Sequence, residues 1–486
     1  MPDQARPPGR ARRRRLARTA TTLGVATLAG FATVAATGSI GLAQAPGALT
    51  RAALAESDGG DASGRGGPER HRNHSADGDG GGDMSTVGNP GWKRDGHGDG
   101  KDQGTPVPCD PNALIAAITA ANQAGGGTLR LAEKCVYTLT INQDDNGLPQ
   151  VFQPITIYGQ GATIIRAAAA DNFRIFEVTT GGDLTLKDLT VAGGRVVEAS
   201  GGGITAGEGT RLTLERVTVR DNIATGEASE GGGIYSDRSK VTITKSTITR
   251  NTVDNDGGGI YSDNAALSIS KSKVTHNTAG DEGGGLANDD GYATIHNVVV
   301  SDNTATDGGG VHGDGDLTDI TKSTITRNAA SGLGGGIYDD GDESLLLQHV
   351  TVANNTAASG GGLYLVEDIG ATIEDSKIVY NTAISGDGGG IAIVGVEDGE
   401  PVVALRRSTV SGNQATGTAG GVFFNPFSDT TALTLTDVRV TDNLAQNEPG
   451  GVSNNGVITV FGDITIINNR PTNCIGSPNP VPTCFG

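Results

Sequence analysis

Five aspartates occupy one offset of a repeating motif. Asp237, Asp263, Asp289, Asp314 and Asp340 each lie three residues after the apolar member of a Gly-Gly-apolar step. One residue after that apolar member stand Tyr235, Tyr261, His312, Tyr338 and Tyr364, a row interrupted only by Ala287. If the apolar residue points into a core along a strand, both rows point outward on one face. Stacked carboxylates repel one another unless they are screened, protonated or metal-bound. The chemistry expected of this face is therefore capture of calcium or a cationic ligand, beside tyrosines on which a sugar could lie. The competing expectation is structural: each Asp ends a strand and bonds turn amides in a solvated loop.

The same sequence offers little for catalysis. Glycoside hydrolysis needs two carboxylates about 5–9.5 Å apart. Equivalent residues on neighbouring strands already lie ~4.8 Å apart, so such a spacing is uninformative in a stacked repeat. Gly96-His97-Gly98 is the tripeptide of polygalacturonase active sites, but it stands in a low-complexity stretch without its partners. Asp289-Asp290 and Asp339-Asp340 are isolated pairs. No single stretch supplies a Ser-His-Asp set or a phosphate loop. The sequence thus predicts a binding or adhesion protein that is not an enzyme, with no certain cofactor and calcium as the candidate. A polysaccharide lyase or glycoside hydrolase with a diverged site is the alternative.

The elements that position these rows follow from the repeat. The apolar member recurs at Ile204, Ile234, Ile260, Leu286, Val311, Ile337, Leu363, Ile391, Val422 and Val452. It alternates with an apolar-x-x-Asn motif ending at Asn222, Asn251, Asn277, Asn303, Asn328, Asn355, Asn381, Asn413, Asn443 and Asn469. A period of this kind marks a solenoid or a propeller, and a propeller blade needs ~40 or more residues. Most spacings here are 25 or 26 residues, which suits one coil of three short strands. Within a coil, apolar or small residues stand three, five and eight before the Asn, as at Ile248, Ser246 and Ile243. The prediction is an all-β, right-handed parallel β-helix, with Asn stacked on Asn and tolerating left-handed backbone. A row of cations six before the Asn (Arg216, Lys245, Lys271, Lys322, His349, Arg407) predicts partial salt bridging of small worth.

Asp110-Pro111-Asn112 is a helix start, and Leu114, Ile115 and Ile118 share one helical face. This short helix and the strands after it resemble the N-terminal cap of pectin-lyase-like β-helices. Gly-Gly-Gly-Ile paired with Ile-x-x-Asn resembles the polymorphic outer membrane protein repeat, over roughly residues 201–469. That resemblance implies a surface-displayed, often adhesive, β-helix. Val or Ile replaces the family's Phe, and a C-terminal barrel does not follow.

Arg12 to Arg15 and Arg18 precede an apolar stretch from Ala20 to Leu42, which reads as an export signal. Residues 56–105 are rich in Gly, Asp and Ser and predict a disordered spacer. Order is expected from about Cys109. Four cysteines, Cys109, Cys135, Cys474 and Cys484, sit near the two ends of the repeat. Their placement favours Cys109–Cys135 and Cys474–Cys484 bonds, which an exported protein retains. The organisation expected is signal 1–55, spacer 56–105, cap and first coils 106–200, repeat 201–469 and tail 470–486. With 55 acidic and 36 basic residues the formal charge is −19, which argues against nucleic acid. A secreted monomer is expected, with no membrane insertion of the mature domain and a surface glycan or protein as ligand.

Overall fold

The structure is a computed structural model that describes residues 104–486, apart from 342–343, 368, 398 and 429–431. The expected signal, Gly96-His97-Gly98 and nearly all of the expected spacer lie outside the described residues. No helix among the described residues is long and apolar enough to cross a membrane.

The repeat winds into a right-handed parallel β-helix of three sheets, with 25, 10 and 11 strands. Each coil pairs with the next in register. Val219 lies on Ile248 and Ile248 on Val274, while Ile234 lies on Ile260 and Ile260 on Leu286. The predicted inward positions form the core: Ile243, Ile248 and Ile260 are fully buried. The helix spans Pro111–Gln123, its first turn closed by the Asp110 carboxylate accepting from Asn112 N at 2.9 Å. It buries Leu114 and Ile118. Order starts earlier than the sequence suggests. Thr105–Val107 already forms a strand, pairing Thr105 with Leu129, because alternation over three residues is too short to read without its partner. Both expected disulfides are present, Cys109–Cys135 and Cys474–Cys484.

The asparagines form an unbroken buried ladder from Asn222 to Asn469. Each Nδ2 donates to the Oδ1 of the Asn one coil on, at 2.9–3.1 Å. The same Oδ1 accepts the backbone N–H of the preceding Asn, as Asn328 does from Asn303 at 3.1 Å. The second amide proton goes to a carbonyl, Asn328 to Val300 O at 3.1 Å. Every polar atom of the amide is thus used where water is excluded. The left-handed backbone is not at the ladder Asn but one residue before it, at Arg250, His276, Asp302, Arg327 and Asn354, with φ of 54–59°. The ladder residue aims its amide along the axis, and the preceding residue takes the left-handed turn. The cation row six before the Asn marks a second left-handed corner, at Arg216, Lys245, Lys271, Lys322, His349 and Arg407. Salt bridging there is partial: Arg216 reaches Asp188 at 2.8 Å and Arg407 reaches Asp375 at 2.9 Å. Arg250–Asp221 and Arg327–Asp302 link coils at the other corner, at 2.7 and 2.8 Å.

The Gly runs make the third corner. Gly308 has φ +60°, and a Cβ on Gly309 or Gly310 would stand 2.5 Å from the carbonyl oxygen of Ala329 or Gly336. Coils therefore approach too closely there for any side chain.

Asn328→Leu should destabilise the fold by at least ~2 kcal/mol, because it strips partners from Asn303, Asn355 and the Val300 carbonyl. Each buried group left unpaired costs about 1–3 kcal/mol. Urea midpoints compared with a surface control, Lys322→Ala, measure this. Equal midpoints would show that the ladder contributes nothing.

Candidate active site

The strands Ile234–Asp237, Ile260–Asp263, Leu286–Asp289, Val311–Asp314 and Ile337–Asp339 lie side by side in the 11-stranded sheet. Asp237, Asp263, Asp289 and Asp314 are direct neighbours in register. Asp340 follows the last strand, its N–H donating to Gly313 O at 3.1 Å. Alternation turns the aromatic row to the same side. Its rings stack along the helix axis: Tyr235 on Tyr261 at 5.8 Å, His312 on Tyr338 at 5.4 Å, and Tyr338 against Tyr364 at 6.1 Å. Ring faces are therefore turned toward one another, and Tyr261 and Tyr338 are buried. The row offers solvent its edges and hydroxyls more than flat platforms.

A second acid row flanks the first, and the sequence reading missed it. Glu230, Asp256, Glu282 and Asp307 stand immediately before four successive Gly runs. Glu230 bridges to Asp256 and Glu282 to Asp307, while Glu282 N donates to Asp256 Oδ1 at 2.8 Å. The signal was available, four residues before the apolar member. It falls at the entrance to the Gly corner, outside the strand whose alternation marks the Asp and Tyr rows.

The two rows meet at His312, which is 2 % exposed. Its Nδ1 lies 3.3 Å from Glu282 Oε2 of the preceding coil, and its Nε2 lies 2.8 Å from Asp340 Oδ1 of the following one. Tyr338 donates its hydroxyl to Asp340 Oδ2 at 3.1 Å. The result is a continuous chain, Glu282–His312–Asp340–Tyr338, across three coils. Below it Ala287, in register between Tyr261 and His312, places no ring between them. Tyr261 donates its hydroxyl to Asp289 of the next coil at 2.7 Å. The one break in the aromatic row is thus where the hydrogen-bonded chemistry concentrates.

One ligand atom each from Glu282, His312 and Asp340 falls within 4.8 Å of the others. Ligands around a tetrahedral ion at ~2.0–2.1 Å stand roughly 3.3 Å apart. The 2.8 Å from Nε2 to Asp340 is shorter and belongs to a hydrogen bond. As built, this is a proton-holding chain. A shallow depression of about 370 Å³ lined by Tyr158, Gln160, Asp188 and Arg216 lies on another sheet and contains none of these groups.

Burial sets the charge state of the acid row. It raises the Glu230 carboxyl to about 7, with Asp256, Asp263 and Asp289 adding repulsion. It raises Asp307 to about 6. Asp256 is pushed up by burial and then by Glu282. Asp237 and Asp263 also rise, by burial first. The Tyr338 hydroxyl is held well above its usual range by burial and then by Asp340, so it stays protonated and donates.

Residues 174–332 match the family described as "Right handed beta helix region". No curated protein matches the chain. Among solved structures the chain is similar to the A-module of the mannuronan C-5 epimerase AlgE6 of Azotobacter vinelandii. That likeness has 15 % identity and TM-score 0.38, over 73 % of this chain and 94 % of that one. It is also similar to tailspike protein 3 of bacteriophage CBA120, with 14 % identity and TM-score 0.33, over 80 % of this chain and 61 % of that one. The expectation of a chain that is not an enzyme is corrected. One similar structure is named an epimerase. Coil stacking also brings together Glu282, His312 and Asp340, which no single stretch of the chain contains.

Carboxyls whose folded values are raised hold protons that the unfolded chain releases, so stability falls as pH rises from their ordinary values of 4.5 and 3.8 toward about 7. The melting temperature should be higher at pH 5 than at pH 8. A Glu230→Gln/Asp307→Asn double variant should flatten the difference. A melting temperature that climbs across this window would contradict the assignment.

Proposed function

We propose that this β-helix acts on a polysaccharide by acid–base chemistry at the outward face of the 11-stranded sheet. The observation that carries the reading is His312 held on both ring nitrogens by carboxylates of the two neighbouring coils. Such a histidine is fixed in orientation between Glu282 and Asp340. Asp340, 15 % exposed at its side chain, is the end of the chain that meets a substrate. In this reading Asp340 accepts a proton from the sugar, and His312 and Glu282 position it and balance its charge. The Tyr338 hydroxyl, kept protonated, donates to Asp340 Oδ2 and helps hold that carboxylate in place. Parallel coils offer repeated acceptors along the axis, which suits a polymer rather than a small molecule.

The acid rows and the charge of −19 favour a neutral or amino-sugar polymer. An acidic polymer would need cations along Asp237, Asp263, Asp289 and Asp314, and calcium is the ion such oxygen ligands suit. The two disulfides and the Arg-rich, apolar N-terminal sequence support export to the outside of the cell, where such polymers occur. Surface attachment to the same glycan would accompany turnover.

The test is an activity screen on neutral, amino-sugar and acidic polysaccharides, with and without calcium, following reducing ends, unsaturated products and sugar configuration. Asp340→Asn and His312→Gln should each lower turnover at least ~100-fold, in the range typical of general acid–base groups, with the fold retained by circular dichroism. Full activity in both variants would remove the relay from the reaction. Silence on every polymer would leave binding alone for the same face.

A further inference from the structure

The interior behind this face is unusual. Two residues after each apolar member, the inward column reads Ala206, Ser236, Ser262, Asn288, Gly313 and Asp339, then Leu365, Ile393 and Phe424. These are register neighbours, coil upon coil. The lumen is therefore polar from Ser236 to Asp339, a stretch that includes the coils carrying the Glu282–His312–Asp340 chain, apolar from Leu365 to Phe424, and polar again at the buried Asn454. On the 25-stranded sheet, the column Leu267, Ala293, Thr318 and Leu345 shrinks and turns polar at the same level.

Ser262 and Asn288 are fully buried and Thr318 is 2 % exposed, yet Ser262 Oγ, Asn288 Oδ1 and Thr318 Oγ1 have no hydrogen-bond partner in the protein. Thr318 and Asn288 flank Gly313, and Ser262 lies one coil further along the same column. A Cβ on Gly313 would stand 2.5 Å from Asp339 Oδ2 and 3.4 Å from Thr318 Oγ1. Asn288 lies directly beside Gly313 in register, and Ser262 beside Asn288. Asp339 is buried too, with one long bond from Gly341 N at 3.3 Å. Buried polar groups are nearly always paired, and a buried water commonly satisfies about three of them.

We propose that the lumen beside Gly313 is a built hydration site, where ordered water binds Ser262, Asn288, Thr318 and Asp339. Water suits these groups better than a cation. A hydroxyl needs an acceptor for its proton as well as a donor for its lone pairs, and a cation serves only the lone pairs. Burial and then Asp340 also favour the protonated form of Asp339, which a cation would oppose. The site lies back to back with the relay, since His312 and Asp340 point out where Gly313 and Asp339 point in.

The sign of a stability change tests this on the full chain. Removing an unpartnered buried hydroxyl is neutral or stabilising, whereas removing one that is bonded to water is destabilising. Thr318→Val, nearly isosteric, and Ser262→Ala should each lower the melting temperature. A crystal structure should show water density within hydrogen-bonding distance of Thr318 Oγ1 and Asn288 Oδ1. An unchanged or raised melting temperature in Thr318→Val would overturn the proposal. An anomalous peak at the site in rubidium-soaked crystals would overturn it in favour of a cation.

Discussion

Everything in this molecule depends on one constraint: a residue must lie on its equivalent in the next coil. Parallel pairing fixes the neighbour at the strand spacing, ~4.8 Å, for every position at once. The Asn ladder locks that alignment from inside with amides that have no other partner to choose. Once it holds, properties that are unremarkable in one coil become rows. An acid becomes an acid row, a tyrosine a stack of rings, and a small polar residue a polar stretch of lumen. The electrostatics of the candidate site follow from repetition more than from any single residue.

The two kinds of acid row show how place decides chemistry. At the left-handed corners Asp188, Asp221, Asp302 and Asp375 meet arginines of adjacent coils. Those arginines hold Asp221, Asp302 and Asp375 below the usual carboxylate range. These pairs are substantially exposed, so each contributes little to stability. Beside the Gly runs burial drives Glu230 and Asp307 the other way. One corner is charged and solvated; the other holds protons near neutrality.

The repeating part of the structure was legible in the sequence because its determinants are local and recur. Ile248 and Asn251 sit three residues apart in one strand and turn, and nine other coils say the same. The Cys109–Cys135 and Cys474–Cys484 bonds were legible for a similar reason, since each closes within one end. Two local readings failed where geometry overrides residue preference. Asn was expected to take the left-handed corner, but its amide is needed along the axis, so Arg250 or His276 takes it instead. Glu282, His312 and Asp340 were not read as a unit because 30 and 28 residues separate their neighbours in the chain. Only alignment by coil number brings them together. The polar lumen was hidden in the same way: Ser262, Asn288 and Thr318 look like ordinary strand residues until their partners are known.

The strands Ile234–Asp237 and Ile260–Asp263 have the same sequence, Ile-Tyr-Ser-Asp. A growing solenoid built only of such coils could dock a strand one coil out of step at almost no cost. The coils at Ala287, His312 and Gly313 differ from their neighbours on both faces, so a slip there would set a histidine where Glu282 and Asp340 cannot reach it and a side chain where Asp339 lies. The irregular coils give an otherwise periodic chain a unique alignment.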